Sequence, residues 1–129
     1  MKNDFEYQID KLIKYINDNK LGHAHKNHPN RLFNGKYIGG EPFDYEIFTK
    51  DHKYVFDAKE THSAKWKILN KDIKQAKNLL ACHNAGLEAF FLIYFYQKKE
   101  YRRLNIIDFI EIVKSRKYVG FDDCDTFKF

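Results

Sequence analysis

The sequence predicts an α/β fold, a mixed central β-sheet flanked by helices, and three observations carry that expectation. Phe5, Ile9, Leu12, Ile13 and Ile16 recur at helical spacing near the start of the chain, which marks an amphipathic helix. Residues 89–96 form an apolar run without polar alternation, as expected of a central strand covered on both faces. Residues 54–61, rich in Tyr, Val, Phe and Thr, read as a second strand whose side chains alternate between faces. Helices interleaved with strands imply layers of both around one core.

The first helix is expected over residues 4–17, capped by Asn3 or Asp4 and ended by Asn19 with Gly22. Glu6 borders its apolar stripe, so its carboxylate can reach inward. Residues 23–40 are polar and turn-rich, with Pro29, Asn34-Gly35 and Gly39-Gly40 as breakers. Residues 43–48 and 53–61 then read as two strands of a hairpin-like pair joined by residues 49–52. A second helix over residues 70–84 buries Ile73, Ala76, Leu79 and Leu80 and stops at Gly86. After the apolar strand come a turn at residues 97–100, a short strand at 101–105 and a last helix at 107–116. The tail, residues 117–129, is acidic and aromatic, able to pack or to fray.

At 129 residues the chain is expected to form one domain, 1–129, with a real core. Its 43% hydrophobic and 17% aromatic content excludes a disordered chain. The longest apolar run is far too short to span a membrane, and residues 1–6 lack the apolar segment of a secretion signal. Cys82 and Cys124 belong to no close Cys or His pattern, so a reduced, cytoplasmic protein is expected. A net charge of +5 is compatible with nucleic acid, and placement sharpens it. Lys65, Lys67, Lys71, Lys74 and Lys77 crowd just after the strand at 54–61, which suggests a partner carrying phosphates. The plainer reading of that crowding is a solvated helix face.

Along that strand Tyr54, Phe56 and Ala58 share the face expected to meet the core, while Val55, Asp57, Lys59 and Thr61 share the other. A carboxylate and an ammonium side by side on an apolar strand are costly to bury unless they pair or bind something. Asp44 opens the preceding strand, and a hairpin brings the start of one strand beside the end of the next. Two carboxylates held close repel and cannot both ionise cheaply without a cation. Mg²⁺ suits such a pair, since it takes one or two carboxylates together with waters and phosphate oxygens. Lys59 on the same face can orient or deprotonate an attacking water, or neutralise charge on a phosphate. Together these residues fit phosphodiester hydrolysis.

The flanks of this motif resemble the PD-(D/E)xK nuclease superfamily and, within it, the RecU-type Holliday-junction resolvases. Phe56-Asp57-Ala58-Lys59-Glu60-Thr61 is similar to the family's aromatic-(E/D)-A-K-E-T run, and Phe43-Asp44-Tyr45 to its upstream segment. Lys74-Gln75, Gly86 and residues 89–93 resemble its H-Q helix, glycine turn and buried strand. His25-Lys26 with Pro29, and Asn3 with Glu6, resemble further segments, so the likeness runs from about residue 3 to 113. It implies a restriction-endonuclease-like core in which Asp44, Asp57 and the Ala58 carbonyl bind Mg²⁺, with Mn²⁺ able to substitute. Lys59 would act on the attacking water, and Glu6 and Gln75 would line the site. It also implies a homodimer acting on branched DNA by paired symmetric nicks, without a membrane partner. Two departures stand out: Asp57 occupies a position usually Glu in the family, and the stretch between Pro29 and Asp44, which holds a junction-engaging stalk there, is much shorter here.

The alternatives are a less selective flap or duplex nuclease of the same superfamily, or an inactive DNA- or protein-binding module on the same fold. His23, His25 and His28 lack a Cys or acidic partner at useful spacing and read better as surface residues. Lys26 and Arg31 beside them make DNA-facing histidines the alternative. Trp66 reads either as a base-stacking residue or as core. Arg102-Arg103 is expected to meet phosphate or to blunt an edge strand.

Overall fold

The computed structural model describes residues 4–27, 30–31, 37–39 and 43–128, with the backbone alone for 4, 30–31 and 37–39. Expectations placed on Asn3, His28, Pro29, the Arg31 side chain and most of the shortened segment before Asp44 lie outside the described residues. The chain opens with helix α1 (Asp4–Asp18), which buries Phe5, Ile9 and Ile16 as its spacing requires. The Asn19 side chain donates to the Tyr15 carbonyl and closes the last turn.

Strand β1 (Gly22–Lys26) follows, largely within the polar, turn-rich stretch of residues 23–40, where the sequence allows short strands without placing them. It pairs antiparallel with β4 (Tyr45–Thr49) in the register Gly22↔Thr49 to Lys26↔Tyr45. Asn17 ties this strand to the helix with two hydrogen bonds to one residue: its amide donates to the Ala24 carbonyl and its carbonyl accepts the Ala24 N–H. Gly22 serves the pairing as well as the turn, because a Cβ there would lie 2.0 Å from the Phe48 carbonyl oxygen. Two short strands, β2 (Asn30–Arg31) and β3 (Tyr37–Gly39), form a separate antiparallel pair.

The expected hairpin is present. Strand β4 turns at residues 50–52 into β5 (Lys53–Thr61), with Tyr45 opposite Phe56 at the last step of the ladder. Strand β6 (Lys65–Lys67) leads into helix α2 (Asn70–Asn84), whose bounds match the expectation. Strand β7 (Glu88–Phe95) then returns parallel to β5, and β8 (Glu100–Asn105) runs antiparallel to β7. Helix α3 (Ile106–Val113) is shorter at its end than expected, because residues 114–116 hydrogen-bond back to Glu111 and Ile112 as a turn. The tail packs: β9 (Tyr118–Gly120) pairs with β6, and β10 (Asp125–Thr126) pairs with β8.

The main sheet therefore has the order β1-β4-β5-β7-β8-β10, with β5 and β7 at its centre. One correction follows for β5. Tyr54 and Phe56 pack toward α1 as expected, yet Val55 on the opposite face is equally buried against α2 and α3. Both faces are core, so Asp57 stands on an apolar surface. Each fully buried aromatic of this core contributes about 1.5–3 kcal/mol. Trp66 belongs to it, 5.3 Å from the Phe91 ring and 6.2 Å from that of Phe109, so of its two readings the core one holds. Arg102 and Arg103 do not end an open edge. Strand β10 covers β8 beside them, and their guanidinium groups lie 3.9 Å over Phe121 and 4.3 Å over Phe90.

Candidate active site

The β4–β5 register, extended one step beyond Tyr45↔Phe56, sets Asp44 opposite Asp57. The two residues interlock there. The Asp44 N–H donates to Asp57 Oδ1 at 2.7 Å, and Asp44 Oδ2 accepts the Ala58 N–H at 3.3 Å. Asp57 is 0% exposed, and its Oδ2 has no hydrogen-bond partner among the described residues. Burial pushes the Asp57 carboxyl up to about 8, and the neighbouring Asp44 carboxylate pushes the same way. Burial also raises Asp44, against the opposing pull of the Ala58 N–H and of Lys59 and Lys26. A carboxyl group that holds a proton well above its usual range is one that a cation can relieve.

Lys59 follows on the same face of β5. Its Nζ lies 2.9 Å from Asp72 Oδ1, off the hydrogen-bonding direction, and donates to Gln75 Oε1 at 3.4 Å. The ring of Phe91 lies beneath it, 5.9 Å from centroid to nitrogen. Helix α2 thus brings two polar side chains to a strand lysine. Gln75, one of the residues named from the sequence, reaches Lys59 in this way, while Asp72 is a residue that sequence reasoning missed. Asp72 is 1% exposed, and its Oδ2 accepts the Leu69 N–H at 2.8 Å, capping the helix. The available signal was an acidic residue in the first turn, which alone reads as a cap.

A cleft of about 610 Å³ opens beside this centre between the start of α1, the end of β5 and the start of α2. Glu6, Lys59, Lys65, Lys67 and Lys71 line it. A second cleft, about 310 Å³, is lined by Asp44 and Lys26 and shares Phe5, Glu6 and Ala58 with the first. Glu6 consequently faces both, whereas Lys74 is exposed on α2 and lines neither. His23 contacts Glu46 at 3.1 Å and stacks near His25, away from these residues.

Among the described residues no three His, Cys, Asp or Glu side chains converge on one point. The donor set is instead a pair of carboxylates, one of them with a buried oxygen that has no hydrogen-bond partner among the described residues. That set fits Mg²⁺, which takes few protein ligands and completes its shell with water and phosphate oxygens.

Comparison with known proteins supplies the family. The model of the family described as RecU, recombination protein U, matches residues 3–125. No curated protein matches the chain in sequence. Among solved structures, the fold is similar to that of Archaeoglobus fulgidus Hjc, a Holliday junction resolvase from an archaeal hyperthermophile. The TM-score is 0.61 at 10% identity, over 94% of this chain and 93% of that one, so the likeness is one of fold. Resolvases of the matched family are in general metal-dependent nucleases. With nearly its whole length matched, the chain belongs to the RecU family and is a junction-cleaving endonuclease, a Holliday-junction resolvase of recombination.

Proposed function

We propose that residues 1–129 act as one nuclease domain and that Asp44 and Asp57 hold Mg²⁺, with Mn²⁺ able to replace it. The observation that carries this reading is the interlocked carboxylate pair, with Asp57 buried and its Oδ2 unpartnered among the described residues. The Ala58 carbonyl completes the protein's share. In a strand the N–H and C=O of one residue leave on the same side, and the Ala58 N–H points toward Asp44, beyond the last β4–β5 pair. When bound, Mg²⁺ polarises the scissile phosphate and lowers the pKa of a water.

The chain's own groups do the rest. Lys59 presents its ammonium to the phosphate and to the attacking water. Glu6 and Gln75 border the reacting volume, Gln75 by orienting Lys59. Lys26, Lys65, Lys67 and Lys71 line the clefts and hold the DNA backbone, and the exposed Lys74 extends that basic surface. Resolution needs two symmetric nicks, so the active form is a two-fold homodimer, the commonest oligomeric symmetry. The working compartment is the cytoplasm, where DNA is met; no helix among the described residues is long and apolar enough to cross a membrane.

With Mg²⁺ the protein is expected to place paired nicks at symmetric positions in a synthetic four-way junction, and EDTA to stop the cut. Equal cleavage of flap and linear duplex would replace junction selectivity with a general nuclease activity. Binding without cleavage of any branched substrate, in Mg²⁺ or Mn²⁺, would leave only a DNA-binding module. The lysine assignment has its own check. Replacing Lys65 and Lys71 together by Ala should weaken junction binding across all sequences and lower the slope of log K against log salt by about 1–2. An unchanged slope removes both residues from the DNA surface.

A further inference from the structure

We infer that Asp72 is the positioning residue of this centre: through its ion pair it holds the Lys59 ammonium at the phosphate-facing end of β5. This rests on the role given to Lys59 above.

The geometry separates two functions of one side chain. Asp72 Oδ2 is occupied by the Leu69 N–H at 2.8 Å, which fixes the carboxylate on the first turn of α2. That leaves Oδ1 facing Lys59 Nζ at 2.9 Å, with the two side chains 2% and 15% exposed. Helix capping requires only one acceptor oxygen, and a neutral Asn or Ser would supply it at the surface. A nearly fully buried anion is a costly way to cap a helix, and the cost is offset only if the second oxygen meets a cation.

Lysine is a flexible four-carbon chain with a compact charge, and it needs external contacts to hold one position. Here three surround it: Asp72 Oδ1, Gln75 Oε1 at 3.4 Å, and the Phe91 ring below. Of these only Asp72 is charged. The pair also joins β5 to α2 across the mouth of the larger cleft, which both residues line. An ammonium fixed in this way is already aimed before DNA arrives, so its ordering is not a cost of the chemical step.

The test separates position from capping. Asp72→Asn keeps the acceptor for the Leu69 N–H and removes the anion. The expected result is junction affinity within twofold of wild type, measured in EDTA, with a single-turnover cleavage rate on bound junction in Mg²⁺ lowered ten- to a hundredfold. Asp72→Glu, which restores the charge, should recover part of that rate. A wild-type rate in Asp72→Asn overturns the inference, and Lys59→Ala run beside it tells which claim failed. If Lys59→Ala is inactive, the nuclease reading of Lys59 stands and only the positioning role falls; if it too cleaves normally, the role of Lys59 falls first. Should Asp72→Asn not fold, the wild-type protein still decides. A slowly exchanging lysine ammonium resonance, assigned by its loss in Lys59→Ala, supports a held Nζ, and its absence from the wild-type spectrum overturns the inference.

Discussion

Asp57→Asn is expected to abolish junction cleavage while making the metal-free protein more stable at alkaline pH. The activity loss follows from the ligand role. A bound metal supplies several kcal/mol of charge stabilisation, and each ~1.4 kcal/mol is tenfold in rate, so a fall of about 10³-fold or more is expected. The stability gain follows from burial. In the unfolded chain Asp57 titrates near 3.8, and in the fold near 8. Between those values the folded protein binds more protons than the unfolded one, so stability falls as pH rises through that window. The stabilisation is complete below about 4 and gone above about 8; Asp44, raised by burial too, adds in the same direction. Asn cannot ionise, so this part of the pH dependence flattens. Even one unit of the shift is worth about 1.4 kcal/mol, and the variant should exceed wild type by at least that at pH 8 in EDTA. Urea melts at pH 4, 6 and 8 check it: parallel curves for the two proteins would mean that the carboxyl is not held protonated by its surroundings. Mg²⁺ should stabilise wild type and leave Asp57→Asn unaffected.

Much of this centre could be read before the fold was known, for reasons that lie in particular residues. The apolar spacing of α1, the unbroken run of β7 and the alternation of β5 are local patterns, and local patterns survive in a sequence. The meeting of Asp44 and Asp57 needed only a hairpin, whose register is set by a short turn. Strand β1 was not legible. Its Gly-His-Ala-His-Lys sequence buries Ala24 alone, and it is a strand because β4 offers an edge and Asn17 clamps it. The short β9 and β10 likewise exist through their partners rather than their composition. Asp72 is the instructive omission. Its charge and position suggested a cap, which it is, but the ion pair depends on how α2 lies over β5, a tertiary fact that no local pattern encodes.

Phe91→Ala is expected to cost about 3–5 kcal/mol, the range for truncating a buried phenylalanine, and also to slow cleavage in the molecules that remain folded. Parallel pairing sets Phe91 beside Asp57, so both side chains emerge on the α2 face of the sheet. Its ring is 0% exposed, 4.7 Å from Phe109 and 5.3 Å from Trp66, with Lys59 Nζ above it. Removing the ring therefore opens a cavity under the lysine and beside the strand that leads into α2. Phe90 provides the control. It is equally buried but on the other face, stacked on Phe56 at 5.1 Å and packed toward α1. Phe90→Ala should show a similar loss in urea melts, yet cleave at nearly the wild-type single-turnover rate once corrected for the folded fraction. Phe91→Ala should fall short of that rate by tenfold or more with junction affinity retained. Equal rates per folded molecule in the two variants would show that the apolar floor stabilises the domain without helping to aim Lys59. Unequal rates would tie the packing of the α2 face directly to the chemistry it carries.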